Sequence, residues 1–213
     1  RQMGMMNSTF VNSSGWPALG HRMSMEDLGI LADRLITDYP TFYPLFAEEE
    51  FAFDGRVPSN SRNRNPVLAM GLGADGLKTG HTEEAGYGLV GSALQGNRRI
   101  IVVFTGLNSQ AERRQEAEAM INWGFRQFIE KKVASQGDIL AEIPVWMGDH
   151  QQINAMIAND VELLVPAIGQ DSVETHIEYR SPLEAPIAAG STVAELVFAA
   201  PDMPEKRIPL VSD

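Results

Sequence analysis

Apolar residues recur at helical spacing in two stretches of the chain; elsewhere they alternate with polar ones or gather in short runs. Ser24 can cap the first helix, with Asp27 three residues on, and Leu28, Leu31, Leu35 and Ile36 follow on one face. Asp38-Tyr39-Pro40 should end it. Phe51 to Phe53 is strand-like, Asp54 to Asn65 is a polar loop, and Pro66 to Met70 is a short apolar run. Tyr87 to Leu94 and Arg99 to Thr105 are apolar and β-branched on either side of Gln95-Gly96-Asn97-Arg98, which predicts an antiparallel hairpin with a Gly-Asn turn. Ser109 then caps a second helix, with Glu112 in the capping-box place and Ala117, Met120, Ile121, Trp123, Phe125 and Phe128 as its apolar face.

After Glu130-Lys131-Lys132 the helical period stops, which predicts a domain boundary. Val173, Thr175, Ile177 and Tyr179 alternate with Glu174, His176, Glu178 and Arg180, the period of a strand with one wet face. Ile139 to Trp146, Val161 to Val165, Thr192 to Phe198 and Ile208 to Val211 supply further strands, so residues 135–213 are expected to form a small β-sandwich.

Composition narrows the function classes. A chain of 213 residues holds one large domain or two small ones, and its 28 acidic against 17 basic residues give a formal charge of −11. Such a surface repels a phosphate backbone, so no nucleic-acid partner is expected. With no cysteine there is no disulfide, thiolate zinc site or cysteine nucleophile. No apolar run approaches the roughly 20 residues of a membrane span, and Arg1-Gln2-Met3-Gly4-Met5-Met6 is too short and mixed for a signal peptide. Arg1 opens directly into a semi-apolar segment, and a fragment is expected.

Several motifs compete for the chemistry. Gly71-Leu72-Gly73-Ala74-Asp75-Gly76 fits the dinucleotide fingerprint, but that pattern needs a following helix N-terminus, and Lys78-Thr79-Gly80-His81-Thr82 is poorly suited to one. A phosphate loop fails by one residue, because Leu77 separates Gly76 from Lys78-Thr79. His21, His150 and His176 lack metal-ligand spacing, and Glu48-Glu49-Glu50 and Glu83-Glu84 fit solvated charge, so neither a metal nor another cofactor is expected.

Lys78-Thr79-Gly80 in a strand puts Lys78 and Gly80 on one face and Thr79 on the other. Alone it fits a surface lysine beside a turn. Its neighbours carry more: Glu83-Glu84-Ala85-Gly86-Tyr87-Gly88, the hairpin, a helix with Arg113 in its first turn, and Asn122-Trp123-Gly124-Phe125. Asn60 to Asn65, the segment Met6 to Asn12, Ser14-Gly15-Trp16-Pro17 and Pro186 to Ser191 extend the pattern over nearly the whole chain. In this order the residues resemble the D-alanyl-D-alanine carboxypeptidases, the low-molecular-mass penicillin-binding proteins.

The resemblance implies an α/β plus all-β chain: residues 1–130 as the C-terminal portion of a serine-β-lactamase-like, D,D-peptidase domain, and residues 135–213 as the β-sandwich. Three motifs do the family's chemistry, of which this chain has K-T-G. It contains no S-x-x-K, and Ser61-Arg62-Asn63 matches S-x-N in form but stands in the wrong place, where a solvated turn is expected. By resemblance, Lys78 places a cation near the reacting serine, and Thr79 hydrogen-bonds the substrate carboxylate. Gly80 completes the motif, His81 gives a backbone oxyanion donor, and Arg113 binds the carboxylate with Thr79. His81 replaces the hydroxyl-bearing residue often found after K-T-G.

The implied activity is removal of the terminal D-alanine from peptidoglycan stem peptides through an acyl-serine intermediate. Peptidoglycan pentapeptide and β-lactam antibiotics are the implied partners, and a separate polypeptide carrying the N-terminal part is another. This chain alone is expected to be inactive. A non-catalytic peptidoglycan-binding or scaffold fragment is the alternative. The family also implies a periplasmic location and an amphipathic C-terminal membrane anchor, whereas this chain stops at Ser212-Asp213 without one.

Overall fold

The structure, a computed structural model, describes residues 1–168, 173–199 and 204–213. It divides into two compact units, Arg1–Phe125 and Arg126–Asp213.

In the first unit, helix α1 spans Met25–Asp38, and the Ser24 side chain accepts from the Asp27 amide at 3.0 Å, as the cap requires. Asp27 is itself buried and its carboxylate accepts the Asn7 amide at 2.9 Å, which ties the N-terminal segment to the helix. Strands β1 (Ala74–Thr82), β2 (Gly86–Gln95) and β3 (Arg98–Leu107) form an antiparallel sheet in that order. The β2–β3 turn is Gly96-Asn97, with Gly96 at φ +59°, where a side chain would be strained. Helix α2 spans Gln110–Gln127, and its Glu112 amide donates to the Ser109 hydroxyl at 3.1 Å.

The sheet carries a core on each face. Val67, Leu89, Ala93 and Val102 pack with Ala117 and Ile121 of α2, while Ala32, Tyr43 and Leu77 form a second cluster with Val90 and Ile101. Gly124 brings α2 close to β3: a Cβ there would lie 2.8 Å from the end of Ile100.

In the second unit, β4 (Phe128–Ala134) pairs with β7 (Val161–Pro166). The other sheet has the order β8 (Glu174–Glu178), β10 (Thr192–Ala199), β11 (Lys206–Ser212), β6 (Gln152–Ile157), β5 (Ile139–Trp146), β9 (Leu183–Glu184). Leu163 and Val165 of the small sheet share one core with Ile143, Ile157, Leu196, Phe198 and Leu210 of the large one.

Three local expectations change. Phe51 to Phe53 does not make a strand: Glu50 bridges Arg62, the Phe51 amide donates to the Ser61 carbonyl, and both phenylalanines are exposed, with no further partner strand among the described residues to cover them. Trp123 lies outside the core-facing stripe of α2, which is Ala117, Ile121 and Gly124. Phe128 and Glu130-Lys131-Lys132 belong to β4, because pairing with β7 outweighs their helical tendency.

Candidate functional site

The outer strand β1 carries the Lys78-Thr79-Gly80 triplet, and residues before it fix where it starts. The buried Asn65 side chain donates to the Gly76 carbonyl at 2.9 Å and accepts from the Val67 amide at 3.2 Å. The glycines that mimic a nucleotide fingerprint have local explanations. Gly73 is at φ +76°, and a Cβ there would run into the Leu94 carbonyl, whereas one on Gly76 would meet the Tyr43 hydroxyl at 2.7 Å. A strand follows them instead of a helix.

Further support for β1 comes from an ionic network across all three strands. Arg99 of β3 donates from Nη1 and Nη2 to the two Asp75 carboxylate oxygens of β1, at 2.7 and 2.8 Å. The buried Ser92 hydroxyl of β2 also accepts from Arg99 Nη1, at 2.5 Å, and the Tyr43 hydroxyl donates to Asp75 at 2.7 Å. Burial pushes the Asp75 carboxyl up, but the Arg99 and Tyr43 hydrogen bonds outweigh it and leave the group below its ordinary value. Burial chiefly pushes the Tyr43 phenol up, to about 12.

Pairing of β1 with β2 sets Lys78 opposite Val90, Thr79 opposite Leu89, Gly80 opposite Gly88 and His81 opposite Tyr87. Alternation therefore gives Thr79 and His81 the face that Leu89 shares with α2, and Lys78 and Gly80 the other. The Lys78 ammonium donates to the Thr79 carbonyl at 2.6 Å. Partial burial, then Arg64, then Arg113 lower its pKa, which favours exchange of a proton.

Arg113, in the first turn of α2, is buried to 5% exposure. Its Nη1 and Nη2 reach the Gly80 and Arg64 carbonyls only at 3.5 Å, and its Nε is buried without a partner. The guanidinium lies over the Tyr87 ring, 5.6 Å from its centroid, and the His81 ring stacks on Tyr87 at 3.9 Å. Desolvation is the main influence lowering the Arg113 pKa. Among the described residues, no carboxylate forms an ion pair with Arg64, Lys78 or Arg113. Such a group of cations can accept an anion.

Sequence reasoning missed Arg64, Tyr87 and the Asp75–Arg99 pair. Arg64 lies within the segment matched to the family, but nothing local marks its charge as one that acts on Lys78. The short β1–β2 turn would have put Tyr87 opposite His81 once the register was drawn. The other candidates have local roles: Ser61 donates to the Pro58 carbonyl, Asn63 donates to the Phe46 and Glu48 carbonyls, and His21 accepts the Val11 amide. Among the described residues no His, Asp and Glu cluster has a metal-binding arrangement, and no helix is long and apolar enough to cross a membrane.

Residues 1–109 match the D-alanyl-D-alanine carboxypeptidase family, and residues 128–213 match the penicillin-binding protein 5 C-terminal domain. The D-alanyl-D-alanine carboxypeptidase DacA of Escherichia coli K12 is 33% identical over 211 residues, covering 98% of this chain and 52% of the relative. The chain thus spans about half the length of that relative. Penicillin-binding protein 5 of Haemophilus influenzae superposes with a TM-score of 0.83 at 29% identity, over all of this chain and 62% of the other. Penicillin-binding protein D2 of Listeria monocytogenes, solved in its ampicillin-bound form, has a TM-score of 0.53 at 30% identity, over 58% of this chain and 51% of the other. The first match takes in the glycine-lysine strand and the hairpin, and this chain belongs to the D-alanyl-D-alanine carboxypeptidase family.

Proposed function

We propose that this chain is the K-T-G wall of a serine-type D-Ala-D-Ala carboxypeptidase that trims peptidoglycan stem peptides and is acylated by penicillins. The observation that carries the reading is the cationic group Arg64, Lys78 and Arg113 beside the outer strand β1, with no carboxylate paired to it among the described residues. An extended peptide ending in a carboxylate fits both features: its backbone can add alongside β1, and its terminal charge meets the cations. Thr79 then contributes a hydroxyl to the carboxylate, and His81 its backbone amide to the developing oxyanion. Lys78, with its lowered pKa, assists proton movement at the serine, which the complementary half of the domain supplies. The setting proposed for the complete protein is the periplasm.

A fluorescent penicillin tests this reading. Covalent, serine-dependent labelling of the complete protein, with no label on residues 1–213 alone, is the expected result. Failure of the complete protein to label would sink the enzymatic reading and leave a non-catalytic fold.

A further inference from the structure

Arg113 has an unusual anchorage for a buried cation. Its two terminal nitrogens contact carbonyls only at the long limit of hydrogen bonding, its Nε has no partner, and none of the described carboxylates pairs with it. It also sits in the first turn of α2, where the helix dipole repels a positive charge. Besides these carbonyls, the guanidinium lies over the Tyr87 ring, at 5.6 Å, within the range where an aromatic quadrupole attracts a cation. The opposing strand fixes that ring in turn: Tyr87 is the cross-strand partner of His81, and the two rings stack at 3.9 Å.

We propose that Tyr87 is a positioning residue for substrate binding, its ring holding the Arg113 guanidinium at the Gly80 end of β1 and leaving the polar edge of Arg113 for an incoming carboxylate. His81 completes the arrangement from the opposing strand by limiting rotation of the Tyr87 ring. A carboxylate partner would neutralise Arg113 and compete with the substrate. An aromatic face holds the cation and keeps its charge available. The inference rests on the carboxypeptidase reading above and deepens it, since it assigns terminal-carboxylate preference to a residue outside the K-T-G triplet.

The test uses the complete protein and two substrates: a peptide ending in free D-Ala-D-Ala, and an activated ester whose leaving group carries no carboxylate. Tyr87→Leu should lower kcat/KM for the peptide roughly tenfold, mostly through KM, because the cation–π contact is lost. The ester should change by less than about twofold, and Tyr87→Phe, which keeps the ring, should stay near wild type on both. Because Tyr87→Leu can damage the hairpin, a second series replaces Tyr87 by progressively fluorinated phenylalanines, which keep the shape while weakening the ring quadrupole. Peptide turnover should then fall stepwise while ester turnover stays level. Equal loss on both substrates, or a flat response to fluorination, overturns the role of Tyr87 and leaves the carboxypeptidase reading standing. No penicillin labelling and no turnover by the wild type defeats that reading and this inference with it.

Discussion

Removing the Asp75 carboxylate should weaken the first unit selectively. Asp75 receives two parallel bonds from Arg99 and one from Tyr43, all at 2.7 to 2.8 Å, and so joins β1 to β3 across β2. The Arg99 and Asp75 side chains are 23% and 29% exposed, so the pair lies between two regimes. An exposed ion pair is worth about 0–1 kcal/mol, and breaking a buried one costs about 3–5 kcal/mol. Interpolation gives about 2–3 kcal/mol for Asp75→Ala or Arg99→Ala, and a coupling energy of about 2 kcal/mol in the double-mutant cycle. With a urea slope of about 1–3 kcal/mol per molar, each single variant should lower the midpoint by about 0.7–3 M. The assay is a urea titration followed by amide cross-peaks, those of β2 reporting the first unit and those of β10 the second. Only the β2 transition should move. A coupling below about 0.5 kcal/mol would refute the argument that this network holds β1 in register.

Three further outcomes concern the same strand and its approach. The Tyr43 phenol should titrate at about 12, as read by ultraviolet absorbance with Tyr43→Phe as the reference. Because folding raises this pKa, its contribution is complete below the ordinary phenol value of 10.0 and is lost as pH climbs toward 12. The Asp75 carboxyl, held below its ordinary 3.8, has the opposite sign: its contribution is full above that value and fades as pH falls below it, so acid unfolding of Asp75→Asn should be less steep. Gly73→Ala should cost at least about 2 kcal/mol in the same urea assay, since it combines a positive φ with a clash against the Leu94 carbonyl. An unchanged midpoint would show that the loop can rearrange at no cost.

Where the sequence was legible, local chemistry decided the structure. Ser24 and Ser109 cap helices because a hydroxyl there satisfies an otherwise orphaned amide, and Gly96-Asn97 turns the hairpin because few other pairs accept its backbone. Lys78, Thr79 and Gly80 fell on a strand for the reason anticipated, their poor fit to a helix after a glycine-rich approach. What escaped was set by partners distant in sequence. Asp75 and Arg99 are an unremarkable acid and base until the sheet brings them together. The helical period counts Trp123 with the apolar face, yet the turn of α2 that meets β3 is occupied by Gly124 against Ile100. Phe128 to Ala134 forms a strand because β7, about thirty residues later, offers it a ladder. Arg64 and Tyr87 are set beside Arg113 by the fold, through the Arg64 carbonyl and the Tyr87 ring, and nothing in their local sequence marks this.

The place of β1 at the rim of its sheet has one more consequence. An open strand edge presents its backbone equally to a substrate peptide and to the same strand of another molecule, which makes it a route to self-association. Two copies meeting there would each bring Arg64, Lys78 and Arg113, so the cations would face their own kind with no described carboxylate to relieve them. On the proposed reading, the charge that would draw an anionic chain end toward the edge would also oppose a second copy there.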